Sequence, residues 1–179
     1  MATVHEIEQS LFSWAPRESA MDWDNVGHLV GDPEREVTRV LVALDITERV
    51  AREAIDLGAQ LIVSHHPVMN VRWHEHEMQT LRSDTRLGGL LTMLVKNDVS
   101  AICMHTNLDA ADGGVNDCLA KKLGLNDVFS LNDEKIGRIG TLSCEKGLEE
   151  FLRDVIESLG CGGLRYRSGS GRVHRVAVG

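Results

Sequence analysis

"RVLVALDITERVAREAIDLGAQLIVSHH", residues 39–66, decides the fold. Residues 39–44 form a compact β-branched run that stops at Asp45, as a short strand does. Thr47 has the side-chain oxygen that caps a helix start. Val50, Ala51, Ala54, Ile55 and Leu57 then share one helical stripe, and Gly58 ends it as a C-cap. Residues 60–64 are the next strand. A strand, a helix and a second strand in so few residues make a crossover unit of an α/β domain.

The same alternation runs outward in both directions. Val4, Ile7, Leu11 and Trp14 are spaced for a helix over 3–15 that Pro16 stops. Leu87, Leu90, Leu91, Leu94 and Val95 mark a helix ending near Asn97, and 99–104 is a third strand. Val115, Leu119 and Leu123 predict a helix that ends at Gly124. Residues 138–144 read as a strand, 148–160 as an amphipathic helix with a glycine stop, and 173–179 as a last strand. The strands are near-continuous apolar runs, which predicts a sheet covered by helices on both faces. Right-handed crossovers put the loops at the strand ends along one edge, where ligands of open α/β sheets collect.

Composition narrows the function classes. Of 179 residues, 42% are hydrophobic and 26% charged, the balance of a soluble globular chain. The net charge of −8 and the absence of a Lys/Arg cluster argue against nucleic-acid binding. No apolar run reaches the length of a membrane span, and the acidic, amphipathic N-terminus is not a secretory signal. Cys103, Cys118, Cys144 and Cys161 form no C-x-x-C pair, so reduced thiols in a cytoplasmic protein are expected. The chain has no Walker motif, no G-x-S-x-G and no dinucleotide fingerprint.

The strongest functional signal lies at the ends of the first three strands. Asp45 comes directly after 39–44. His65 and His66 come directly after 60–64. His105, Asn107, Asp109 and Asp112 come after 99–104. Three successive strands therefore deliver imidazoles and carboxylates to one edge. Neutral imidazole with carboxylate suits divalent Zn, Fe, Mn, Co or Ni, with no thiolate needed. If the backbone leaves strand geometry at Ser64, the twin rings diverge and each can serve its own ion. Two-metal sites typically activate water for hydrolysis. Plainer readings stand beside this one: Asp45 as a helix cap, His105 as a buried hydrogen-bonded histidine, Asp112 or Asn116 as local caps. His74 and His76 in "RWHEHE" could chelate at i, i+2 or lie in a polar loop. Arg72, Arg82 and Arg86 could meet phosphate or be solvated surface charge.

Three blocks carry a family resemblance: "DNVGHLVGD" (24–32), "LIVSHHPVM" (61–69) and "HTNLDAADGGVNDCLAKKLGL" (105–125). The chain resembles the NIF3 family, whose members are called GTP cyclohydrolase 1 type 2 homologues, and "GRIGTL" (137–142) and "VHRVAVG" (173–179) match in order. The resemblance implies a NIF3-like fold, a mixed sheet flanked by helices, in a single domain over 1–179. It implies two divalent metal ions on His65, His66 and Asp109. His105, Asp45 and Asn107 would support them, and no catalytic side chain is assigned. It also implies a homohexamer built from dimers.

The activity implied is that of a metal-dependent hydrolase on a nucleotide-like or other small substrate. The alternative is a metal-binding scaffold or regulatory protein that acts through protein partners. The sequence departs from the family pattern at His28, where an apolar residue is usual, and at 70–81. The family's remaining ligands, a His and a Glu four residues apart, fall in a portion that would lie beyond residue 179. The chain therefore reads as the N-terminal part of a longer protein, with three of five expected ligands, incomplete metal occupancy and some uncovered apolar surface.

Overall fold

The computed structural model describes residues 1–69, 80–169 and 171–179. In chain order the elements are β1 (Ala2–Thr3), α1 (Val4–Trp14), β2 (Gly27–Val30), β3 (Glu36–Val37), β4 (Val40–Ala43), α2 (Glu48–Asp56), β5 (Leu61–Ser64), α3 (Arg86–Lys96) and β6 (Ser100–Cys103). After them come α4 (Thr106–Ala110), α5 (Val115–Lys122), β7 (Asn126–Ser130), β8 (Arg138–Gly147), α6 (Leu148–Leu159) and β9 (Arg172–Val178). They divide into two compact units, residues 1–108 and 109–179.

The first unit is built on a four-stranded mixed sheet of order β2-β6-β5-β4. Strands β4, β5 and β6 are parallel, and their register puts Ala43, Ser64 and Cys103 at one level. Thr47 caps α2 as expected, its hydroxyl accepting from the Val50 amide at 3.2 Å, and Thr85 does the same for α3 through Gly88 at 3.1 Å. Ala51 and Ala54 of α2 and Leu91 and Leu94 of α3 are buried in one apolar cluster with Ile62 and Ala101. The small alanines let α2 lie close to the sheet, while the leucines fill the space beside it.

Two features of this sheet depart from the sequence reading. Strand β2 is not anticipated there; it pairs antiparallel with β6 at Gly27↔Cys103 and His28↔Ile102. Its pattern is only four residues long and is punctuated by glycine, too short for periodicity to reveal. Gly31 has φ +106°, and a Cβ there would collide with Ser100 Oγ, so glycine permits the close approach of β2 to β6. Secondly, β5 and β6 are covered on both faces but β4 is not. It is the sheet edge, and Val42 (78% exposed) and Leu44 (61%) face solvent.

The second unit corrects the expectation of one continuing alternation. Strands β7, β8 and β9 make a separate antiparallel sheet of order β7-β8-β9. Helix α6 lies between β8 and β9 in sequence, yet those strands run antiparallel, so it is not a parallel crossover. Helix α6 ends as expected at Gly160 in the left-handed conformation. Ala120, Leu125, Leu142 and Val176 form this unit's core. No helix among the described residues is long and apolar enough to cross a membrane.

The buried Arg138 ties the loop before α5 to the sheet. Its guanidinium donates to Asp117 Oδ1 at 2.5 Å and to the carbonyls of Lys135, Gly137 and Ala111 at 2.7, 3.0 and 3.2 Å. The hydrogen bond from Arg138 holds the Asp117 carboxyl below its ordinary range, outweighing partial burial. A lowered folded-state value means that this stabilisation is complete above about pH 4 and is lost as pH falls through the folded value. Asp117→Asn should therefore cost about 1–3 kcal/mol at neutral pH by leaving the buried guanidinium short of acceptors. It should also flatten the acid limb of stability, as urea unfolding across pH will show.

Candidate metal centre

The parallel register builds the site. Beyond the level of Ala43, Ser64 and Cys103, the chain presents Asp45, His66 and His105, each two residues further on, at one sheet edge. The ladder continues briefly: the His65 and His66 amides donate to the Ala43 and Leu44 carbonyls at 3.2 and 2.9 Å, and the Met104 amide donates to Ser64 at 2.9 Å. The backbone leaves strand geometry at His65 and His66. Two anchors set that bend. Ser64 Oγ donates to the His66 carbonyl at 2.8 Å, and the Cys103 thiol donates to the His65 carbonyl at 3.1 Å. Adjacent histidines thus come to the same side, with ring centroids 5.1 Å apart, instead of pointing to opposite faces.

His105 joins them. Its ring centroid lies 5.0 Å from that of His65 and 5.4 Å from that of His66. One ligand atom from each of the three lies within 4.8 Å of the others, so the three histidines could hold a metal ion. Three imidazoles are a donor set suited to borderline divalent ions.

Each ring is held through Nδ1. His65 donates to the Met104 carbonyl at 3.0 Å, His66 to Asp45 Oδ1 at 2.8 Å and His105 to Asp24 Oδ1 at 2.8 Å. Asp45, expected as a supporting residue, is thus the hydrogen-bond partner of His66. Asn107, also expected, is fully buried: its Oδ1 accepts from the His105 amide at 3.0 Å and its Nδ2 donates to the Ala15 carbonyl at 2.9 Å. It fixes the backbone that carries His105.

Asp24 is the residue that sequence reasoning missed. Its side chain is fully buried beside a His105 ring that is 12% exposed. Burial raises its pKa, but hydrogen bonds from His105, Thr106 and the backbone prevail and lower it to about 2. The block at 24–32 carries the family resemblance, yet no spacing links Asp24 to a histidine 81 positions away.

Asp109, expected as a ligand, lies on α4 and belongs to the second unit; its backbone carbonyl accepts from Asn116 Nδ2 at 3.1 Å. Helix α4 itself reads as loop in the sequence, being too short to show a period. Arg82 pairs with Asp84 as an exposed ion pair. His74, His76 and Arg72 lie outside the described residues.

The family model for Duf34/NIF3 (NGG1p interacting factor 3) matches residues 2–179. The chain belongs to the DUF34/NIF3 family. A Clostridium perfringens relative named GTP cyclohydrolase 1 type 2 homolog is 39% identical over 169 residues, which are 91% of this chain and 63% of that protein. The chain thus spans less than two thirds of that relative's length. Among solved structures, a Staphylococcus aureus hypothetical protein superposes with a TM-score of 0.87 at 28% identity, over 98% of this chain and 70% of its own. A Bacillus cereus protein related to NIF3 shares the fold with a TM-score of 0.89 at 24% identity, over 99% of this chain and 76% of its own. The NIF3 fold expected from the sequence is therefore the fold of this chain.

The buried Cys103 sits beneath the histidines. Burial, and then the nearby charge of Asp24, pushes its thiol far above the ordinary range, which makes it a poor nucleophile. A thiol reagent applied to the native chain should modify the exposed Cys118 and Cys144 and spare Cys103 until the chain unfolds. Peptide mapping after timed labelling checks this; labelling of Cys103 at the rate of Cys118 would contradict it.

Proposed function

We propose that this chain carries a metal centre of a divalent-metal hydrolase acting on a nucleotide-like or other small substrate. The observation that supports the reading is the gathering of His65, His66 and His105 at the carboxyl edge of three parallel strands, each ring anchored through Nδ1. An ion held by these rings would supply Lewis-acid polarisation and water activation for hydrolysis.

The chain's own residues do the rest. His65 and His66 are the primary donors and His105 joins them as a third; Asp109 as a carboxylate ligand rests on the family resemblance alone. Asp45 orients His66, and Asn107 holds the backbone of His105 in place. The family resemblance adds a second ion, with each of the twin histidines serving one, and a homohexameric assembly. The name of the Clostridium perfringens relative points to ring-opening of GTP as the first substrate to try.

The test is metal-stimulated hydrolysis of a panel of nucleotides and small phosphate esters. Turnover should require a divalent ion and should fall at least about 100-fold in His65→Ala, the scale on which an essential metal ligand acts. Activity that survives His65→Ala would overturn the hydrolase reading. Tight metal binding with silence across the panel would favour the scaffold reading instead.

A further inference from the structure

The three rings share one feature. Each Nδ1 meets an oxygen that can only accept: the Met104 carbonyl, the Asp45 carboxylate and the Asp24 carboxylate. The proton must therefore sit on each Nδ1, which places the lone pair on Nε2. The three anchors are unequal. Asp45 and His66 have side chains 53% and 45% exposed, so water competes for their hydrogen bond. Asp24 is fully buried, and nothing there replaces it.

Asp24 is also saturated. Oδ1 accepts from His105 Nδ1 at 2.8 Å and from the Asn25 amide at 2.7 Å. Oδ2 accepts from the Thr106 amide at 3.1 Å and from the Thr106 hydroxyl at 2.5 Å. Four donors meet the four lone-pair positions of one carboxylate. The Thr106 hydroxyl is held in turn by the Met21 amide at 2.9 Å, and Asn25 Nδ2 donates to the Met69 carbonyl at 2.7 Å, just past the twin histidines. One buried carboxylate thus ties residues 21–25 to the turns that carry His105 and, through Asn25, to the segment after His66.

We propose that Asp24 is the positioning residue of the metal centre: it locks His105 in the Nδ1–H tautomer and in one ring orientation, so that the Nε2 lone pair is offered to a divalent ion. This role rests on the metal-centre reading under Proposed function. A carboxylate behind a ligating histidine sets both tautomer and basicity, and its loss typically lowers metal affinity about 10–100-fold.

The amide of Asp24→Asn cannot substitute. It has one acceptor oxygen for four donors. If its NH2 takes the Oδ1 place, it opposes the Asn25 amide and drives the proton of His105 to Nε2. If it takes the Oδ2 place, it opposes the Thr106 amide.

Two measurements on the full chain test this. The first is the 15N spectrum of the imidazoles in metal-free protein at mildly alkaline pH, which reports the tautomer directly. The second is Zn(II) affinity by competition with a chromophoric chelator, with a thermal melt as the folding control. Wild-type His105 should be in the Nδ1–H form. Asp24→Asn should bind Zn(II) about 10–100-fold more weakly and mix the His105 tautomers, while Asp45→Asn should lose less. An Nε2–H tautomer in the wild type, or a folded Asp24→Asn with wild-type affinity, would overturn the proposal. If Asp24→Asn does not fold, the wild-type tautomer decides. Absence of Zn(II) binding by the wild type would instead sink the metal-centre reading, whatever the tautomer.

Discussion

The parallel register of β4, β5 and β6 is the constraint on which everything else hangs. Ala43, Ser64 and Cys103 stand in one row, so any residue a fixed number of positions further on emerges at the same edge. A shift of one residue in either pairing would turn every side chain of the shifted strand to the other face and scatter the histidines. That register is specified by burial. Leu61 and Ile62 are fully buried on opposite faces of β5, and β6 is buried along its whole length, so neither strand can slip without exposing core.

On that frame the site is assembled by hydrogen bonds that reach backwards. The bend at His65–His66 is held by Ser64 and Cys103, the backbone of His105 by Asn107, and the His105 ring by Asp24. These partners come from β5, β6, helix α4 and the segment before β2. A burial cost is incurred at each, and each is met by a hydrogen bond, as buried polar groups require. The outcome is a cluster of three imidazoles whose protons are all on the inner nitrogen. This is the arrangement that a histidine metal site needs before the ion arrives.

Most of the framework is legible in the residues alone. The 39–66 unit shows its strands, its Thr47 cap and its Gly58 stop because period and punctuation agree there. The delivery of Asp45, His65, His66 and His105 to one edge is a consequence of the crossover rule. Strand β2, helix α4 and β7 are not legible: the first two are four and five residues long, and β7 is exposed throughout, so none carries an apolar period. The separate antiparallel sheet escapes a sequence reading because strand–helix–strand order fits either pairing direction until the partners are known. Asp24 is illegible for a different reason. A buried carboxylate is recognised by its donors, and its donors are far away in sequence.

The central claim is that His65, His66 and His105 form one metal-holding cluster. Anomalous diffraction at the zinc edge from Zn(II)-soaked crystals of this chain tests it most directly. The predicted result is zinc at this cluster, with an imidazole nitrogen of each of the three histidines about 2.0–2.1 Å from a zinc peak. A peak bound elsewhere, or none at this cluster, would contradict it.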